Sequence, residues 1–184
     1  VICIEDPLRP EGPEVIKALR KAGFTQIVMM TGDSDRTAKA IAKRVGVDEY
    51  YSEVLPEDKA NFVEREKQAG RKVIMIGDGI NDSPALSAAD VGIAISEGAE
   101  IAREVADITV GADDLKEIVK LKRLSDALMQ RIRRNYRIIV GFNTGLIVCG
   151  VTGVLPPTTS ALLHNTSTLV IGLQSMKNLL DESE

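Results

Sequence analysis

One stretch, Val73 to Leu86, limits what the rest of the chain can be. Its sequence, VIMIGDGINDSPAL, opens with four apolar residues, Val73 to Ile76, which have the length and composition of a short buried strand. The run breaks at Gly77 into a turn carrying Asp78, Gly79, Asn81 and Asp82. In an open α/β sheet the carboxyl ends of the strands form the edge where ligands bind, and a carboxylate-rich loop falls there. Two Asp four residues apart, with a flexible Gly and an amide side chain between them, suit a hard, oxygen-seeking cation such as Mg2+. GDG alone would serve equally well as an acidic surface turn, whereas the ten-residue string GDGINDSPAL is far more specific.

Upstream of that stretch, apolar runs alternate with helical patterns. Val1 to Ile4 reads as a strand, followed by an amphipathic helix with Val15, Ile16 and Leu19 on one face, Pro13 in its first turn and Gly23 at its stop. Gln26 to Met30 is a strand ending at Thr31-Gly32-Asp33. A helix then runs from about Ser34 to Val45, with Ser34 or Asp35 as N-cap and Gly46 as terminator. Tyr50 to Val54 reads as a strand, and Leu55-Pro56-Glu57-Asp58-Lys59 leads into a helix ending near Gly70. Beyond the central strand, a short helix over Ser83 to Ala88, a strand at Val91 to Ile95, a helix near Ala99 to Val105 and a strand at Ile108 to Val110 complete the series. Such alternation predicts an α/β fold with a mostly parallel sheet covered on both faces.

Charge is distributed very unevenly along the 184 residues. Ile138 to Met176 contains no Lys, Arg, Asp or Glu and a single His, while nearly all charged residues precede it. The net charge of -4 argues against a nucleic-acid partner. Two cysteines, Cys3 and Cys149, with no CxxC spacing, indicate neither a disulfide framework nor a zinc module and fit a reducing compartment. A chain that opens at Val1 inside a strand-like run is expected to be the carboxyl-terminal piece of something longer.

Ile138 to Leu155 is 18 uncharged residues and Thr158 to Met176 is 19, so as helices they would span about 27 to 29 Å, near the roughly 30 Å hydrocarbon thickness of a bilayer. Pro156-Pro157 separates them. Arg131, Arg133, Arg134 and Arg137 precede the first run and Lys177 follows the second, as expected of a transmembrane hairpin with both ends cytoplasmic. A buried hairpin of a soluble protein, rich in Thr and Gly, is the alternative. Asp113 to Arg137 reads as a charged linking helix, giving three parts: 1–112, 113–137 and 138–184.

Three polar sites fall at corresponding strand ends: Thr31 and Asp33 after one, Lys59 just past another, and Asp78, Asn81 and Asp82 after a third. A hydroxyl, an ammonium and paired carboxylates holding a divalent cation are what a phosphoryl group needs, since its transfer is catalysed by positioning and by neutralising its equatorial oxygens. Singly, TGD is often only a turn and the Lys of PEDK a solvated first-turn residue; their order and strand context favour the site.

GDGINDSPAL closely resembles the hinge motif of P-type cation-transporting ATPases, whose phosphorylation domain belongs to the haloacid dehalogenase-like superfamily. MTGD, LPEDK and the opening EDPLRPE are similar to further segments of that domain. The resemblance implies a Rossmann-like fold in which Thr31, with Gly32 and Asp33, contacts phosphate and Lys59 steadies a phosphorylated aspartate. It also implies that Asp78 ligates Mg2+, with Asn81 and Asp82 ordering the phosphate and the metal's water shell. The family's phosphorylated aspartate lies in a DKTGT string, which this chain does not contain, and the ATP-binding domain that follows it is absent too. The full reaction with ATP would therefore belong to an intact parent.

Inside the second apolar run, His164, Asn165, Thr166, Ser167 and Thr168 form a polar island, and 164, 167 and 168 share one helix face with Gln174 nearby. A His in mid-membrane suggests a transition-metal ligand, whereas Ser167 and Thr168 serve equally as interhelical hydrogen-bonding groups. Asn143 lies in Gly141-Phe142-Asn143-Thr144-Gly145, a GxxxG suited to close helix contact. These features resemble the heavy-metal-transporting P-type ATPases, in which two membrane helices follow the phosphorylation domain and end the chain. Phe142-Asn143 looks like that subgroup's Tyr-Asn pair, and His164 to Thr168 is similar to its second-helix metal motif. The resemblance implies His164, Ser167, Thr168 and Asn143 as ligands of a transported cation, whose identity stays open. The expectation is thus a multi-pass membrane pump, of a bacterial plasma membrane, with a cytoplasmic soluble part. A soluble dehalogenase-like phosphatase and a non-catalytic membrane-tethered module are the alternatives.

Overall fold

A computed structural model describes residues 10–77, 80–95, 104–110 and 115–179. The chain divides into two compact units, Val1–Lys120 and Leu121–Glu184. The strand expected over Val1 to Ile4 lies outside the described residues, as does most of the helix expected near Ala99 to Val105.

In the first unit the elements run α1 (Gly12–Lys21), β1 (Val28–Met30), α2 (Asp35–Val45), β2 (Glu49–Tyr51), α3 (Pro56–Gln68), β3 (Ile74–Gly77), a 3-10 turn (Ile80–Asp82), α4 (Ser83–Ala88), β4 (Val91–Ile95) and β5 (Ile108–Val110). All strand pairs are parallel, with α2 crossing from β1 to β2 and α4 from β3 to β4. They form a two-stranded sheet, β1–β2, and a three-stranded sheet, β3–β4–β5. Register runs Val28 to Glu49 in the first, and Ile74 to Val91 and Ile93 to Ile108 in the second. Apolar side chains of α1 (Val15, Leu19) pack with Ile95 of β4 and with Ile118 and Val119. Leu86 of α4 and Val63 of α3 are fully buried.

An aspartate immediately ahead of each of three strands fixes the register. Asp48 accepts the amide of Ile27 (2.7 Å), Asp90 that of Val73 (3.0 Å) and Asp107 that of Gly92 (2.8 Å). Each carboxylate satisfies a backbone donor at or near the start of the preceding strand, where no ladder partner is available. Arg20 bonds Asp48 and Lys72 bonds Asp90, so both carboxyls are held below the ordinary aspartate value, first by those side chains and then by the amides.

The strand expected over Tyr50 to Val54 is shorter and earlier. At Glu53 the chain enters the left-handed region (φ 54°), and the amides of Glu53 and Val54 turn to the carbonyls of Asp33 and Thr31. Closing that turn removes residues 52–54 from the ladder.

The second unit is built on two helices, α5 (Lys116–Val151), whose first turns belong to the first unit, and α6 (Pro157–Ser175). The helix expected to end at Arg137 continues without interruption to Val151, since nothing from Lys116 to Arg137 is a Gly or Pro. The apolar run 138–155 is therefore helical only to Val151, after which Gly153 (φ 73°) turns the chain toward Pro156. Those 14 helical residues reach about 21 Å, less than a bilayer's hydrocarbon thickness. Helix α6 is longer, but its polar island lowers its apolar content. Among the described residues no helix is long and apolar enough to cross a membrane, so α5 and α6 carry the two expected runs without either forming a membrane-crossing span. Of 21 exposed large apolar side chains among the described residues, 19 nevertheless lie in the second unit.

The far end of α6 is capped from α5. Arg131 donates to the carbonyls of Ser175 (3.0 Å), Lys177 and Asn178 (2.8 Å), and Asn135 donates to the Ser175 hydroxyl (2.8 Å). A guanidinium there satisfies orphan carbonyls and opposes the negative end of the helix dipole.

Candidate active site

Lys59 sits in the first turn of α3 because Pro56 starts the helix and Asp58 accepts the Leu55 amide (3.2 Å), pinning the chain at its entry. From there its Nζ reaches Asp82 Oδ1 at 2.7 Å, with both side chains largely buried (13% and 12% exposed). Charges so far from water need each other: the ammonium compensates the carboxylate, and neither group is a solvated surface residue.

Asp82 is brought there by Gly77. A Cβ at position 77 would lie 2.6 Å from Asp82 Cβ and 2.7 Å from its Oδ2, so only glycine lets the carboxylate pack against the carboxyl end of β3. The sequence marks Gly77 as the end of a strand and gives no sign of this role. Gly92 is a second such position, where a Cβ would meet the Leu86 carbonyl oxygen at 2.6 Å and push α4 off β4.

At the end of β1, the Thr31 hydroxyl donates to Asp33 Oδ2 (2.9 Å) and accepts the Asp33 amide (3.1 Å). Gly32 separates them at an exposed turn, tied to the loop after β2. Asn81 is exposed in the 3-10 turn. Asp78 and Gly79 lie outside the described residues. Among the described residues, no three His, Cys, Asp or Glu side chains gather as a metal site.

A cavity of about 550 Å³ lies beside the Lys59–Asp82 pair. Val28 and Met30 of β1 line one side and Ile74 to Ile76 of β3 the other, with Lys59 and Asp82 also in its wall. Both flanking strands are the outer strands of their sheets, and both belong to all-parallel ladders. Met30, which precedes Thr31, thus shares a cavity with the Lys59–Asp82 pair.

Asp82 is seated in a cradle that a Cβ at Gly77 would fill, and the next hydroxyl, Ser83 Oγ, is buried without a hydrogen-bond partner. Oxygen donors beside a buried lysine fit Mg2+ with a phosphate oxygen.

In the second unit, His164 Nδ1 lies 2.9 Å from Asn143 Oδ1, joining the polar island of α6 to the middle of α5. Ser167 and Thr168 both donate their hydroxyls to the His164 carbonyl (2.8 and 3.0 Å). Of the four residues suggested for a transported cation, two side chains therefore meet and two hydroxyl protons turn back onto the helix.

Residues 1–90 match the family described as haloacid dehalogenase-like hydrolase. The chain is 40% identical over 178 residues to the manganese-exporting P-type ATPase of Mycobacterium leprae (strain TN), covering 96% of this chain and 25% of that protein. It is 44% identical over 163 residues to copper-transporting ATPase 1 of Rhizobium meliloti (strain 1021), covering 89% of this chain and 20% of that protein. A crystal structure of a zinc-transporting PIB-type ATPase in the E2.Pi state superimposes with a TM-score of 0.89 at 33% identity, over 96% of this chain and 29% of that one. The chain thus spans about a quarter of the length of the curated relatives it matches.

Proposed function

Because this chain belongs to the heavy-metal-transporting P-type ATPases, within the haloacid dehalogenase-like superfamily, we propose that it is the distal part of an ATP-driven metal-cation efflux pump that cycles through an aspartyl-phosphate. The observation that carries this reading is the buried Lys59–Asp82 pair beside the carboxyl end of β3, in one cavity with the end of β1.

In this reading the upstream part of the same polypeptide completes the site. The slot between β1 and β3 accepts a parallel strand, and a nucleophilic aspartate at its carboxyl end would emerge beside Lys59 and Thr31. Lys59 balances the charge of that aspartate and of the phosphoryl oxygens, while Asp82 holds the ammonium in place. The Thr31 hydroxyl, beside Gly32, would turn its one proton from Asp33 Oδ2 to a phosphoryl oxygen. Asp78 and Asp82 would hold Mg2+, which would neutralise charge on the transferring group, and Asn81 would order the phosphate. ATP is the phosphoryl donor in the intact pump.

The second unit is read as the membrane part, with lipid and neighbouring helices of the parent covering its apolar side chains. The density of exposed Ile, Leu and Val along α5 and α6 supports this. A helix with a polar island is stable in a bilayer when other helices pack against it and its polar groups face a cavity. His164, Ser167, Thr168 and Asn143 make up the site of the transported cation, with the first unit cytoplasmic. The test is ATP hydrolysis by the complete polypeptide in lipid, titrated with Mn2+, Zn2+, Co2+ and Cu+. Stimulation by at least one of them, lost in His164→Ala, is expected; hydrolysis indifferent to all of them would remove the pump assignment.

A further inference from the structure

A histidine can bind a metal only through a nitrogen that carries no proton, so a site built on His164 depends on which ring nitrogen is bare. Asn143 Oδ1 lies 2.9 Å from Nδ1, and an amide oxygen is an acceptor only. It therefore selects the tautomer with the proton on Nδ1, leaving the Nε2 lone pair free. The backbone around the histidine is pinned as well, because the Ser167 and Thr168 hydroxyls converge on its carbonyl.

We infer that Asn143 is a positioning residue, which holds His164 in the Nδ1–H tautomer so that Nε2 is the nitrogen offered to the transported cation. This rests on the reading of His164 as a cargo ligand and changes the part played by Asn143, from ligand to orienting group. Outer partners of this kind fix the ring and raise ligand basicity, and their loss typically costs about 10- to 100-fold in metal affinity.

The test uses the complete polypeptide, reconstituted in lipid, with 15N-labelled histidine assigned by comparison with His164→Ala, and Zn2+ and Mn2+ as probes. Wild type should show His164 protonated at Nδ1. Asn143→Ala should lose that preference and bind the stimulating ion about 10- to 100-fold more weakly. Asn143→Asp, which restores an acceptor, should recover both the tautomer and most of the affinity; a merely structural role for Asn143 would not tie the two together. A wild-type His164 protonated at Nε2, or an Asn143→Ala protein with unchanged tautomer and affinity, would overturn the inference. Full metal affinity in His164→Ala would instead remove the underlying cargo-site reading, whatever the tautomer.

Discussion

Two carboxylates, Asp82 and Asp90, illustrate how differently one residue type works in this chain. Asp82 is buried against Gly77 and neutralised by Lys59, so Lys59→Met should destabilise the first unit by about 3 kcal/mol by stranding the carboxylate. Adding Asp82→Leu should recover most of that loss in denaturant unfolding, since removing both partners leaves no unpaired charge. Asp90 is an open clamp on Val73 and Lys72, with a folded-state pKa below the ordinary 3.8. A depressed carboxylate pKa contributes stability that is fully present above the unfolded value and is lost as pH falls through the folded one. Asp90→Asn should therefore lower the unfolding midpoint at neutral pH, and its curve should converge with that of wild type in strong acid; parallel curves at every pH would contradict the clamp. The Asp-before-strand pattern of VDEYY, ADVG and ADIT is plain in the sequence once its role is known. Gly77 was not legible, because its need comes from a side chain five residues later that folds back.

Among the described elements of the first unit, the strands and helices other than β2 follow the sequence pattern, since periodicity and Gly or Pro punctuation are local signals. Helix α5 departs from that pattern. The change from charged to apolar at Ile138 is not a break in the backbone, and the helix runs through it to Val151. The end of α6 was equally hidden, because its cap is Arg131, 44 residues before Ser175. Arginines that composition assigns to a membrane boundary include one with a specific structural duty. Arg131→Ala should remove about 1 kcal/mol from the last turn of α6 and raise amide exchange at Met176 and Lys177, with residues 160–165 unaffected. Uniform exchange across α6 in the variant would show that the cap is dispensable.

For the whole molecule, the two units present opposite surfaces. Among the described residues, the first buries its apolar residues around β3, β4 and α1 and has a cavity lined by β1 and β3; the second leaves most of its large apolar side chains uncovered. Both fit the proposal that the chain is a segment of a larger pump, in which a further strand would complete one unit and helices or lipid would surround the other. The polar residues at three strand ends were visible in the sequence because each motif is contiguous. That Lys59 reaches Asp82, and that β1 and β3 share a cavity, was not, because the folded crossovers bring them together.

The central claim is that Thr31, Lys59 and Asp82 surround one Mg2+-bound phosphoryl group. It is tested most directly by trapping acid-stable label from γ-labelled ATP on the complete polypeptide, with and without Mg2+, for wild type, Thr31→Ala and Lys59→Met, each checked for folding. Labelling should require Mg2+ and fall about 10²-fold in either folded variant. Wild-type labelling in both would contradict the account.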